Sequence, residues 1–179
     1  MSRLASLKEK LDIIPLNLPL TLSLSRIALT PVVWILLQAN SPLILPLYLL
    51  ACSTDLLDGK VAKLLNSSSI NGAILDVSAD FLLVTTGFTY YMLIGLISPM
   101  FLWAMTFSFL QYLLTMSTPI KDPLGKHIGT VLFALLALTM LSPTASVTFI
   151  VSLIGISYIA ISLISRFQSL HAYYANEQP

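Results

Sequence analysis

The stretch TDLLDGKVAKLLNSSSINGAILDVSAD, residues 54–80, holds Asp55, Asp58, Asp76 and Asp80, which are four of the eight acidic residues in the chain. The first pair is three residues apart and the second pair four, so on helices each pair lies on one face. The intervening NSSSIN is rich in turn-forming residues. The sequence therefore predicts two antiparallel neighbouring helices whose acidic faces meet.

The composition around this stretch is that of a membrane protein. The chain has 179 residues, of which 56% are hydrophobic and 9% charged, and its mean hydropathy is +0.88. Soluble domains carry about 25% charged residues. The formal net charge of +1 implies no nucleic-acid partner, and the single cysteine excludes a disulfide framework. We therefore expect an integral membrane protein.

Apolar runs separated by turn-forming segments predict an all-α fold with six transmembrane helices. The spans are expected at about 20–39, 42–65, 72–97, 99–116, 128–141 and 147–165. Residues 1–15 have leucines at helical spacing among charged residues and predict a short amphipathic helix on the membrane surface, with a frayed tail as the alternative. The predicted domains are this segment and a six-helix domain over residues 16–179.

The basic residues set the orientation of these spans. All nine fall on the N-terminal side of a six-span arrangement, and the loops on the opposite side carry no charge: Arg3, Lys8, Lys10, Arg26, Lys60, Lys63, Lys121, Lys126 and Arg166. Positive residues stay cytoplasmic. We therefore expect both termini and the aspartates to face the cytoplasm from the cytoplasmic membrane.

Four carboxylates converging in an apolar protein need cations. No lysine or arginine is placed to neutralise all four, and hard divalent ions prefer such oxygen ligands. One alternative is that the aspartates cap helices or pair with Lys60 and Lys63. Another is a transport path for a cation or proton, although no internal repeat typical of transporters is evident.

Small residues accompany the aspartates. Gly59 follows Asp58, Ala62 lies about one turn further on, and Gly72 precedes Asp76 by four residues. Small side chains let a ligand approach the backbone closely. For any one of them taken alone, close helix packing through small residues is the favoured explanation.

The same residues resemble the signature of the CDP-alcohol phosphatidyltransferases, D-x2-D-G-x2-A-R-x8–9-G-x3-D-x3-D. Seven of its eight fixed positions match with the correct spacing, and Lys63 stands where the family has arginine. Arginine binds phosphate through a planar fork, whereas lysine offers a point charge. The segment LPLTLSLSRIALTP, residues 18–31, is also similar to the family's entry segment, and Arg26 matches its arginine.

The resemblance implies phosphatidyl transfer from a CDP-linked lipid, CDP-diacylglycerol or its archaeal ether counterpart, with release of CMP. It implies two Mg²⁺ or Mn²⁺ ions and a homodimer. The ligands would be Asp55, Asp58 and Asp76, while Asp80 would be the general base and also contact metal. The CDP pocket would be lined by Gly59, Ala62, Lys63 and Gly72.

The acceptor alcohol is less defined. Lys121, Lys126 and Arg166 lie at predicted cytoplasmic ends of spans four to six, where some family members bind the phosphate of an acceptor such as glycerol 3-phosphate or inositol phosphate. Ordinary positive-inside anchoring is the alternative. Phe81 follows Asp80 where the glycerophosphate branch often has lysine. A cation or proton transporter and an inactive family member that serves as a membrane partner also stay open as functions.

Overall fold

A computed structural model describes residues 18–52, 70–116 and 124–177, and all regular structure in these ranges is helical. The predicted amphipathic segment 1–15 lies outside them. The helices are α1 Leu18–Gln38, α2 at residues 44–52, α3 Ile70–Leu93, α4 Pro99–Thr115, α5 Ile128–Leu141 and α6 Ala145–Glu177. A 3₁₀ turn, Gly125–His127, precedes α5. The all-α prediction is confirmed for this part of the chain.

The described residues do not confirm the prediction of six membrane crossings. Within the described ranges, Ala145–Ala175 is the one helix both long and apolar enough to cross a membrane, and Ser23–Gln38 and Ile128–Leu141 are shorter apolar helices. α6 has 33 residues and continues to Glu177, well past the predicted end near residue 165. At 1.5 Å per residue it is about 50 Å long.

Two helix ends are set by residues in the left-handed conformation. Asn40 has φ 47° and Gly95 has φ 79°. Each of these residues is followed by the long hydrogen bond of a Schellman motif. After Asn40 the Ser41 amide donates to the Leu36 carbonyl, and after Gly95 the Leu96 amide donates to the Tyr91 carbonyl. α3 therefore ends at Leu93, four residues before the predicted limit, because the motif at Gly95 stops it.

A Ser-Pro pair follows the end of α1 and the end of α3, and in each case it starts the next segment. The Ser98 side chain accepts a hydrogen bond from the Met100 amide, and Pro99 is the first residue of α4. Ser41 accepts likewise from the Leu43 amide. Proline suits the first helical position because its missing N–H would have no helical partner there. Turns therefore separate α1 from α2 and α3 from α4, between the predicted spans.

Helix α3 occupies the centre of the bundle and packs against α1, α4 and α5. Its fully buried Phe88 meets the Phe101 ring of α4 edge-on at 4.8 Å between centroids. Tyr90 of α3 meets Trp34 of α1 in the same manner. The packing of α3 against these helices sets the orientation of the face that carries Asp76 and Asp80.

The exterior of the bundle is apolar. On α4 the side chains of Met100, Trp103, Phe107 and Leu114 are each more than half exposed, with Trp103 at 75%. Exposed apolar surfaces of this size mark contact with a membrane or with another protein.

Gly155 of α6 allows the three C-terminal helices to approach closely. A Cβ there would overlap the Phe101 ring and press on Leu135 Cδ1. The ring cannot move away freely because it is fully buried against Phe88. We expect Gly155→Ala to destabilise the fold by about 1–3 kcal/mol, measured as a lower melting temperature in detergent.

Gly129→Ala is the matched control. Among the described residues, a Cβ at Gly129 meets nothing within 4 Å, and alanine favours helix over glycine by up to about 1 kcal/mol. Its melting temperature should equal or exceed that of the unmodified protein. A Gly155→Ala protein as stable as this control would contradict the packing described.

Candidate active site

Asp76 and Asp80 lie one turn apart on α3, on the face that meets α1. Nη1 of Arg26, from α1, donates to Oδ1 of Asp76 at 2.8 Å and to Oδ1 of Asp80 at 2.7 Å. The Arg26 side chain is 1% exposed, whereas the side chains of Asp76 and Asp80 are 46% and 20% exposed. A buried guanidinium thus contacts two aspartates whose side chains are partly exposed.

Hydroxyl groups one turn to either side of Arg26 complete the polar face of α1. Oγ of Ser23 donates to Oδ1 of Asp76 at 3.1 Å. Oγ1 of Thr30 donates to the Arg26 carbonyl at 3.0 Å. Polar groups in an apolar helix are stable when they are hydrogen-bonded. The three residues Ser23, Arg26 and Thr30 therefore form one buried stripe.

The structure describes part of the predicted site. Gly72 is on α3, half-buried, one turn before Asp76, so glycine and aspartates share one face. Asp55, Asp58, Gly59, Ala62 and Lys63 lie outside the described residues. Their convergence with the α3 face stays a prediction.

The chemistry of the described donors fits a divalent cation. Carboxylate oxygens are the ligands that hard divalent cations prefer, and both side chains are partly exposed. In the described ranges no group of three metal-ligating side chains occurs. Further ligands would have to come from residues such as Asp55 and Asp58.

Arg26 is the residue whose position the sequence did not reveal. Its predicted place is on the cytoplasmic side with the other basic residues, and the structure buries it between two aspartates, so the uncompensated charge of the cluster is smaller than predicted. A signal existed, because a lone arginine inside an apolar segment requires an acidic partner. The sequence could not say which acid that partner is.

Aromatic contacts connect α3 to the other helices that carry candidate acceptor residues. Phe81, next to Asp80, stacks on Phe109 of α4 with centroids 3.9 Å apart and planes within 4°. One turn further, the Tyr112 ring lies 5.0 Å from the Arg166 guanidinium of α6. The C-terminal half of α4 therefore lies beside the Asp80 end of α3.

Arg166 is 4% exposed, so the alternative of a surface anchor does not describe it. Lys126 lies in the 3₁₀ turn before α5, and Lys121 lies outside the described residues. Two buried oxygens in this region, Oγ1 of Thr85 and Oε1 of Gln111, have no hydrogen-bond partner within the described part of the chain. Their capacity to accept hydrogen bonds is available to a polar ligand.

Ionisable residues inside an apolar helical bundle are costly and mark functional sites. The family model for CDP-alcohol phosphatidyltransferase matches residues 16–168. The chain belongs to the CDP-alcohol phosphatidyltransferase family, which confirms the resemblance.

The family sets the general class of activity. Its members are membrane-associated phosphotransferases of phospholipid synthesis that use a CDP-linked lipid and an alcohol, generally with a divalent metal. A comparison with curated proteins found no match, and one with solved structures found none.

Proposed function

We propose that this protein transfers a phosphatidyl group from a CDP-linked lipid, CDP-diacylglycerol or its archaeal ether counterpart, to a hydroxyl of a small polar acceptor, releasing CMP. The observation that carries the proposal is the pair Asp76 and Asp80, fixed by Arg26 and still partly exposed. Family membership over residues 16–168 supports it. Residues 16–179 are the proposed catalytic domain.

The proposed base is Asp80. The acceptor hydroxyl oxygen forms a bond to the phosphorus that carries the lipid, the bond from that phosphorus to the CMP oxygen breaks, and CMP leaves with the electron pair. The hydroxyl proton goes to Asp80. A carboxylate that is 20% exposed is accessible to such a hydroxyl, and general-base catalysis contributes about 10²- to 10⁴-fold.

The proposed metal ligands are Asp55, Asp58 and Asp76, with contact from Asp80. When bound, two Mg²⁺ or Mn²⁺ ions supply charge stabilisation for the pyrophosphate and the departing CMP. The carboxylate chemistry of Asp76 and Asp80 supports this choice of hard ions.

The proposed CDP pocket is lined by Gly59, Ala62, Lys63 and Gly72. Gly72 shares the α3 face of Asp76, and a residue without a side chain there gives a pyrophosphate access to the carboxylates. Lys63 supplies a positive point charge in place of the family's arginine.

The acceptor is proposed to bind between α3, α4 and α6, with Lys121, Lys126 and Arg166 as its phosphate ligands. The position of Arg166 beside Tyr112 supports this site, since arginine binds phosphate through strong, often bidentate hydrogen bonds. Glycerol 3-phosphate and inositol phosphate are the candidate acceptors. We further propose a homodimer whose active sites and termini face the cytoplasm, as the basic residues indicate.

The test is CMP release by purified protein in detergent, given CDP-diacylglycerol, Mg²⁺ or Mn²⁺, and separately glycerol 3-phosphate, inositol phosphate and inositol. We expect CMP only when donor and one acceptor are both present, and Arg166→Gln should raise the KM for a phosphorylated acceptor. Leu24→Ala, on the exposed side of α1, is the control.

The alternatives give different results. Donor binding without CMP release from any acceptor would favour the inactive membrane partner. Cation flux through reconstituted vesicles without CMP release would favour the transporter. Either outcome overturns the proposed activity.

A further inference from the structure

We propose that Arg26 is a positioning residue that sets the separation and orientation of the Asp76 and Asp80 carboxylates. The proposal rests on the proposed function, since its consequence is measured on phosphatidyl transfer. Arg26 contacts neither the reacting atoms nor a ligand in this role. It acts through the two aspartates.

The geometry is specific because one nitrogen makes both contacts. Nη1 of a guanidinium carries two hydrogens held in the plane of the group. The bonds of 2.8 Å to Asp76 and 2.7 Å to Asp80 use one hydrogen each. The planar fork therefore fixes where both Oδ1 atoms lie, and with them the direction in which each carboxylate presents its second oxygen.

Arg26 can fix other groups because it is itself immobile. Its side chain is 1% exposed, and α1 packs along α3. Ser23 supplies a second bond to Oδ1 of Asp76. Moving a buried cation away from its acidic partners is strongly unfavourable. The Asp76 and Asp80 side chains are the more exposed partners in these contacts.

The consequence is a preorganised pair. Two like charges one turn apart repel each other, and each would turn outward without a cation between them. With Arg26 in place, both Oδ1 atoms are held together on the face of α3 that meets α1. Small misplacements of catalytic groups cost up to about 10²-fold in rate, so the role is measurable.

The test compares Arg26→Gln with Arg26→Lys. Arg26→Gln should lower kcat for CMP release at least about tenfold at saturating metal, with a donor KM that changes less than about threefold. Arg26→Lys, which keeps a cation of similar length, should retain more of kcat. Leu24→Ala, two residues away and exposed, should match the unmodified protein.

A second readout does not depend on turnover. The electron paramagnetic resonance spectrum of bound Mn²⁺ should broaden in Arg26→Gln and stay narrow in Arg26→Lys, since disordered carboxylates give a mixture of metal environments. Loss of a nearby positive charge alone would shift Mn²⁺ affinity and leave the spectrum unchanged.

Three results would overturn the proposal. The first is an unchanged Mn²⁺ spectrum in Arg26→Gln, and the second is a kcat of Arg26→Gln within threefold of that of the unmodified protein. The third is a loss of kcat in Arg26→Gln and Arg26→Lys that is fully explained by the fraction of each protein that is folded. If the unmodified protein releases no CMP, the proposed function fails, and the Mn²⁺ spectra then decide the role of Arg26 by themselves.

Discussion

Asp80→Asn should lower CMP release at least about 100-fold while the protein still binds Mn²⁺ and CDP-lipid. The amide keeps the shape of the side chain and an oxygen that accepts from Arg26, so the contact at 2.7 Å can persist. It cannot take a proton from the acceptor hydroxyl. The loss expected for a missing general base is about 10²- to 10⁴-fold.

Asp55→Asn is the comparison variant that distinguishes a metal ligand from a general base. Removing a charge from a proposed metal ligand should weaken Mn²⁺ binding and turnover together, whereas Asp80→Asn should separate them. Mn²⁺ and CDP-lipid titrations by calorimetry, beside the CMP assay, measure both. Asp12→Asn, outside the aspartate motif in the sequence, is the charge-matched control and should be fully active.

Two outcomes would count against the assignment of Asp80. Equal loss of metal in Asp80→Asn and Asp55→Asn would make Asp80 chiefly a ligand and leave the base unassigned. Full activity of Asp80→Asn would remove the general-base role altogether.

Chelation should abolish the reaction. With EDTA in excess we expect no CMP above background, because the pyrophosphate charge and the carboxylates would face each other without a cation between them. Added Mg²⁺ or Mn²⁺ should restore the rate, and EDTA loaded beforehand with Mg²⁺ is the control for effects of the chelator itself. Full activity in excess EDTA would refute the metal requirement.

The metal requirement can also be tested without substrate, by thermal unfolding. Mn²⁺ should raise the melting temperature of the unmodified protein, since a ligand that binds only the folded state stabilises it. Asp76→Asn should reduce that rise, because it removes one charge from the proposed ligand set. An equal rise in the melting temperatures of the unmodified protein and Asp76→Asn would mean that Mn²⁺ binds at another site.

Most helix limits could be predicted because their signals are local. α5 begins and ends where its apolar run does, at Ile128 and Leu141. The turn after α1 has Asn40 in the left-handed conformation followed by Ser-Pro. Such signals act within a few residues. The end of α3 was placed too late because the stop is at Gly95, inside a run that hydropathy reads as continuous.

The end of α6 could not be predicted from hydropathy. The sixth span is predicted to end near residue 165, yet the helix continues to Glu177. An α-helix satisfies its own backbone hydrogen bonds in water as well as in lipid, so a change of polarity does not by itself end one. Arg166 also turned out to be buried beside Tyr112 instead of reaching the surface.

The sequence alone determined the family and the acidic face of α3, since both depend on spacing along one segment and a helix converts spacing directly into geometry. The tertiary structure decided the partner of that face. Arg26 is 50 residues from Asp76 and 54 from Asp80 along the chain, and the packing of α1 on α3 alone brings them together. Because Arg26 is buried among apolar helices, its positive charge is stable there only beside acidic partners.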